Sequence, residues 1–266
     1  MTSLAAVKEQ QQQAWSSGDY GIIGSKLVIV SELLCETVDP RAGDRVLDVA
    51  TGHGNAALAA ARRGCEVTGI DYVPEWLDRA RDRANAEGLK ATFQEADAEN
   101  IPFPENSFDV VLSTFGAPFA PNHEKTASEL LRVCRPEGKI GMANWIPAGF
   151  VKEFFEIHAR HVPPPPEVKS PLQWGSESGL RELFGVGIAT LQVIPRTYLH
   201  RYRSVDHFIT TYRNTFGPTV AALEALDAAG KEALAQDLAE TASRYNIGAS
   251  TMVASMDYIE VVMTKR

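Results

Sequence analysis

The segment Val46-Leu47-Asp48-Val49-Ala50-Thr51-Gly52-His53-Gly54-Asn55 decides the architecture. A short apolar run, a turn of small residues and an Ala-rich stretch over about 54–63 read as strand, loop and helix. Glycines in such a loop let backbone approach a ligand, and the free N–H groups at the helix start favour a negative group. Seventeen residues beyond Gly54 a second apolar run, Glu66–Ile70, ends in Asp71. A carboxylate at that place accepts hydrogen bonds from ribose hydroxyls.

Two ligands suit this strand–loop–helix–strand unit. Gly52-x-Gly54-x-x-Ala57 satisfies the loose dinucleotide-binding pattern. The same unit also suits S-adenosylmethionine, and Asp48 discriminates between the two. A carboxylate just before the turn repels a pyrophosphate but suits the cationic amino group of a methionine moiety. A purely structural reading, in which Asp48 caps backbone N–H groups of the turn, stands beside this one.

Outward from this unit the alternation continues. Pro74 opens a helix to about Glu87 that places Trp76, Leu77, Ala80 and Ala84 on one face. Ala91–Glu95 and Phe108–Ser113 read as strands, residues 123–134 as a helix, Pro136-Glu137-Gly138 as a turn and Lys139–Asn144 as a fifth strand. Strands alternating with helices of this length imply βαβ units, a parallel sheet and right-handed crossovers. On the N-terminal side, residues 4–16 and about 22–37 read as two helices. Beyond Asn144 the pattern predicts helices near 149–160 and 176–184, a strand over Ile188–Ile194, helical pieces over 204–246 and a last strand over Thr251–Met263. One domain spans 1–266: N-terminal helices in 1–43, a cofactor-binding core in 44–146, and substrate-side helices and final strands in 147–266. The helical insert 204–246 reads as a lid or substrate wall.

The chain has 266 residues, 44% of them hydrophobic and 23% charged, which excludes disordered, collagenous and disulfide-scaffold classes. Its net charge of −8 makes it a poor partner for nucleic acid or an anionic membrane surface. Cys35, Cys65 and Cys134 are isolated from one another and read as reduced, buried thiols. No run of apolar residues is long enough to span a membrane, and the Gln-rich start has no apolar signal core. The expectation is a cytoplasmic protein with a small-molecule substrate; a homodimer is compatible with it. No His/Asp/Glu set has metal-ligand spacing, so no metal is expected.

Taken together, these motifs resemble a class I S-adenosylmethionine-dependent methyltransferase of the UbiE-like small-molecule group. Asp48-x-Ala50-x-Gly52-x-Gly54 is similar to the family's first motif, Ile70-Asp71 to its second and Glu95-Ala96-Asp97-Ala98 to its third. Phe108-Asp109-Val110-Val111 and the run Leu130–Gly138 are similar to the fourth and fifth. The resemblance covers about residues 44–146. It implies a doubly wound α/β fold: a mostly parallel seven-stranded sheet, Rossmann-like, with an antiparallel last strand and helical lid elements. The family carries Gly where this chain has Ala50; an Ala fits there with φ negative.

The resemblance also implies a cofactor site. Asp48, Ala50, Thr51 and the Gly52–Gly54 turn would face the methionine end of S-adenosylmethionine, and Asp71 the ribose hydroxyls. Tyr72 and Trp76 would pack near the adenine, Asp97 would accept from its amino group, and the Ala98 N–H would donate to a ring nitrogen. Ser113, Thr114 and Phe115 would line the path to the methyl group. Each residue also has a plainer role open to it: Trp76 fits the core face of its helix, and Asp97 suits a turn.

Methyl transfer from a sulfonium is an in-line displacement from an activated donor, so positioning the acceptor supplies much of the rate. A general base is needed only for a nucleophile that starts protonated. Tyr20, His53 and His123 are the candidates, with surface or capping roles as the alternatives for both histidines. Trp15 and Tyr20 would cover the cofactor mouth. Phe119 in the apolar loop Phe115–Pro121, with Trp145, Phe150, Phe154 and Phe155, would form an apolar acceptor pocket. The product would be S-adenosylhomocysteine and the acceptor a small hydrophobic molecule. A non-catalytic S-adenosylmethionine-binding module and an NAD(P)-dependent oxidoreductase are the alternative functions.

Overall fold

The computed structural model describes residues 3–266. Helices α1 (Leu4–Ser16), α2 (Tyr20–Gly24) and α3 (Val28–Val38) precede the first strand. The core then alternates: β1 (Arg45–Val49), α4 (Asn55–Arg62), β2 (Glu66–Asp71), α5 (Pro74–Glu87), β3 (Ala91–Glu95), β4 (Phe108–Thr114), α6 (His123–Val133) and β5 (Cys134–Trp145). Next come α7 (Gly149–His161), α8 (Glu177–Phe184), the long strand β6 (Ile188–Tyr202), α9 (Val205–Thr215), α10 (Gly217–Ala225), α11 (Ala228–Arg244) and β7 (Met252–Lys265).

The described residues form a seven-stranded sheet of order β3-β2-β1-β4-β5-β7-β6. β1 to β5 pair in parallel, and β7 runs antiparallel between β5 and β6. The order reverses between β1 and β4, so their carboxyl ends open a crevice of the kind that binds ligands in open α/β sheets. Apolar side chains of α3, α4 and α5 cover one face, among them Leu34, Ala57, Leu58 and Leu77. Those of α6 and α8, with Trp174, cover the other. A third cluster, from α7, α9, α10, α11 and the start of β7, roofs the end of the sheet.

Three local expectations are corrected. The helix read over 22–37 is two helices with a short 3-10 turn at Ser25–Leu27. Gly24, at the break, lies so near His53 that a Cβ on it would stand 2.4 Å from the imidazole Cε1. Pro136-Glu137-Gly138 is not a turn ahead of the fifth strand but a bulge within it. Phe108 pairs with Cys134 and Val110 with Lys139, and Glu137 takes φ +62°. The strand read over Ile188–Ile194 continues to Tyr202. Pro195 looks like a stop, but β6 is an edge strand, where a missing N–H is tolerated.

That extension shapes the site. β5 ends at Trp145, paired with Tyr258, while β6 and β7 stay paired from there back to Tyr202 and Met252. The far half of this antiparallel pair therefore projects past the carboxyl edge of the sheet and forms a wall there.

Candidate active site

A large cleft lies at the carboxyl ends of β1, β2 and β4, beneath the roof. It encloses about 1530 Å³ of empty space, part of it open to solvent.

The floor is the loop after β1. Gly52 and Gly54 hold φ +53° and +89°, left-handed values that glycine adopts without strain. Gly54 precedes α4 and has no side chain with which to cap it, so Asp48 reaches in from β1. Its Oδ2 accepts from the Ala57 N–H at 2.9 Å and from the Thr51 hydroxyl at 2.6 Å. The capping role open to Asp48 is thus real, and Asp48 also lines the cleft. Asp71, at the end of β2, accepts from the Gly52 N–H at 2.8 Å and the Val73 N–H at 3.0 Å. It pins the loop from the opposite side.

Both carboxyls are buried, Asp48 at 1% and Asp71 at 7% exposure. Burial pushes Asp48 up to about 7 and Asp71 up to about 6, against the pull of their hydrogen bonds. Among the described residues neither has a cationic side-chain partner. Two buried carboxyls without a cationic partner suit a ligand that brings hydroxyl donors and a positive charge.

One end of the cleft is closed by α1. Lys8 Nζ bridges Asp97 and Glu99 at 2.5 Å each, Gln12 donates to the Tyr72 carbonyl, and Trp76 Nε1 donates to the Trp15 carbonyl at 3.2 Å. Tyr72, Trp76, Asp97 and Ala98 line this end. Trp76 serves both of its readings, since it also lies on the buried face of α5.

The other end is apolar. Phe115 stacks on Trp145 with centroids 3.7 Å apart, and Phe119, Phe150, Phe154 and Phe216 continue the wall. Trp15 meets Tyr20, Phe119 and Phe216 edge-on. Burial and the Asp71 carboxylate push the Tyr20 phenol up to about 12. Burial and the nearby Arg83 and Arg79 push His53 down to about 4. At neutral pH the two are thus a phenol and a neutral imidazole.

The expected residues Asp48, Ala50, Thr51, Gly52, Asp71, Tyr72, Trp76, Asp97, Ala98, Thr114 and Phe115 border this one cleft, as do Trp15, Tyr20, His53, Phe119 and Trp145. Ser113 does not. Its hydroxyl donates to the Val49 carbonyl at 2.8 Å and accepts the Ala117 N–H at 3.0 Å, tying β4 to β1. Gly54 acts from beneath, as the residue that starts α4. His123 is turned away: its Nε2 pairs with the Pro118 carbonyl at 2.9 Å, its Nδ1 faces Gln173, and its ring lies edge-on to Trp174. Ala50 takes φ +55°, not the negative value expected of an Ala.

Not foreseen from the sequence is the lining that comes from the N-terminal helices, from β6 and β7, and from α9 with the residue after it: Lys8, Gln11, Ile23, Leu27, His200, Met256, Tyr212 and Phe216. Only the amphipathic spacing of Phe208, Ile209, Tyr212 and Phe216 could have pointed to the buried face of α9.

This sheet order, with its loop and two acids at the strand ends, defines a doubly wound α/β protein with a ligand cleft at its switch point. The chain matches a methyltransferase domain family over residues 47–142. It is 38% identical over 235 residues to an uncharacterized protein of Mycobacterium tuberculosis, covering 85% of this chain and 86% of that one. It is also 42% identical over 109 residues to the demethylmenaquinone methyltransferase of Thermus thermophilus, covering 40% of this chain and 50% of the relative. Among solved structures, YcgJ of Bacillus subtilis superposes with a TM-score of 0.62 at 21% identity, over 89% of this chain and 97% of that one. The chain belongs to the class I S-adenosylmethionine-dependent methyltransferases, in the UbiE-like group. It is a methyltransferase, and its cofactor is S-adenosylmethionine.

Proposed function

We propose that the enzyme methylates a small, apolar acceptor held between the cofactor site and the roof helices. The observation that carries this reading is the division of one cleft into two ends. The buried acids Asp48 and Asp71 lie at one end, and an aromatic chamber walled by Phe119, Trp145, Phe150 and Phe154 lies at the other.

Asp71 would hold the ribose hydroxyls, Asp48 the methionine amino group, directly or through water, and Tyr72, Trp76, Asp97 and Ala98 the adenine. The bound cofactor supplies an electrophilic methyl group on a sulfonium. The chain's own contribution is to orient the acceptor, exclude water and hold it in line. The aromatic chamber suits an uncharged ring system, since a buried charge without a partner is costly. With Tyr20 a neutral phenol and His53 a neutral imidazole at pH 7, neither adds a charge to the chamber.

The test is mass spectrometry of reactions with S-adenosylmethionine across a panel of quinols, phenols, aliphatic amines and RNA. Gain of one methyl by an apolar quinol or phenol supports the reading. Methylation confined to amines or RNA overturns it.

A further inference from the structure

The lid end of the chamber is apolar, walled by Ile23, Leu27, Phe150 and Met256. Two polar side chains interrupt it. His200 lies on the part of β6 that projects past the sheet, and Tyr212 lies on α9. Both are buried, at 1% and 5% exposure, and both border the cleft. Their side chains meet with His200 Nε2 3.1 Å from the Tyr212 hydroxyl. The second imidazole nitrogen has only a long contact, 3.5 Å, to the Tyr198 hydroxyl.

A phenol can donate one hydrogen bond and accept two, so Tyr212 retains capacity for a partner inside the cleft. Polar groups placed in an apolar wall carry a desolvation cost that packing alone does not recover. The pair is also neutral. Burial and the nearby Lys26, which stands over the Tyr202 ring outside the cleft lining, push His200 down to about 3.

We propose that Tyr212 and His200 form the hydrogen-bonding point of the acceptor chamber and select apolar acceptors that carry a neutral hydroxyl group. This rests on the chamber's being the acceptor site. Tyr212 meets the acceptor hydroxyl, and His200 is a positioning residue that fixes the direction of the phenol. A chamber built to hydrogen-bond a hydroxyl discriminates strongly against the analogue lacking it, because its own polar group is then left unpaired.

The test titrates the protein saturated with S-adenosylhomocysteine, using α-naphthol and its hydroxyl-free match α-methylnaphthalene as probes, read by calorimetry. The native protein is expected to prefer α-naphthol by about tenfold, the worth of one hydrogen bond. Tyr212→Phe should bring the preference close to unity while S-adenosylhomocysteine affinity stays the same. If Tyr212→Phe melts too low to titrate, His200→Leu, which releases the phenol from its fixed direction, should lower the preference severalfold. Equal binding of both probes by the native protein, an unchanged preference in the variant, or no binding of either probe overturns the proposal. Failure of S-adenosylhomocysteine itself to bind is seen before any probe is added, and strikes the cofactor site instead.

Discussion

Gly116 lies against Ala50 so closely that a Cβ on it would stand 2.5 Å from the Ala50 Cβ and 2.7 Å from the Ala50 carbonyl oxygen. Ala50 is itself left-handed, and so is Phe115 at φ +61°. Two side-chain-bearing residues thus hold an unfavourable backbone where β1 and β4 end beside the cleft. Such strain, of order 1–3 kcal/mol for each residue, persists only where the surrounding structure enforces it. Gly116→Ala should lose about 1–3 kcal/mol through overpacking, read as a lower urea midpoint. Ala50→Gly removes both the strain and the Cβ, and should recover part of that loss in the double variant. A neutral Gly116→Ala would contradict the packing.

Asp71→Asn keeps a side chain that can accept from the Gly52 or Val73 N–H but removes the charge. Hydrogen bonds to a charged group are worth about 1.5–3 kcal/mol, so S-adenosylhomocysteine affinity should fall roughly tenfold to a hundredfold by calorimetry. Unchanged affinity would remove Asp71 from the cofactor site.

Affinity should also depend on pH. Burial raises both carboxyls above the ordinary value near 4. This is the reverse of the usual salt-bridged carboxylate. Their contribution to the free protein's stability is fullest below that ordinary value and is lost as pH rises through about 6 to 7. A ligand that prefers the ionised forms then binds better as pH rises. From Asp71 alone, S-adenosylhomocysteine affinity should weaken about tenfold between pH 8 and pH 5. The Tm gain on adding the ligand should shrink in parallel. A flat affinity across that range would mean that neither carboxyl titrates there.

Phe119→Ala should separate the two ends of the cleft. Phe119 meets Trp15 and Phe155 edge-on at centroid distances of 5.3 and 5.9 Å. Removing the ring should raise KM for an apolar acceptor severalfold, in line with the loss of about 1 kcal/mol or more of aromatic contact. S-adenosylhomocysteine affinity should change little. An equal loss at both ends would indicate collapse of the wall rather than loss of an acceptor contact.

The core was legible because its signals are local. Pro74 and Gly88 bound α5 as a helix start and stop require, and the apolar runs of β1, β2 and β4 lie where the turn residues bracket them. The helical insert over 204–246 was legible too, but the wall made by the far part of β6 and β7 was not, because it is set by pairing distant in sequence. His200 reaches the cleft only because β6 stays paired with β7 beyond Pro195. His123 looked available as the first residue of a helix after β4; the fold turns it onto Trp174 and the Pro118 carbonyl instead. Ala50 misled for a related reason. Its backbone is fixed by the β1–β4 junction, which the local preference of an alanine does not report.

The buried acids at the ends of β1 and β2 are proposed to hold an S-adenosyl ligand. Calorimetric titration with S-adenosylhomocysteine, alongside NADH as control, decides this. Micromolar binding of the first and none of the second is expected. Binding of NADH without S-adenosylhomocysteine would contradict it, and the roles given to Asp48 and Asp71 would fall with it.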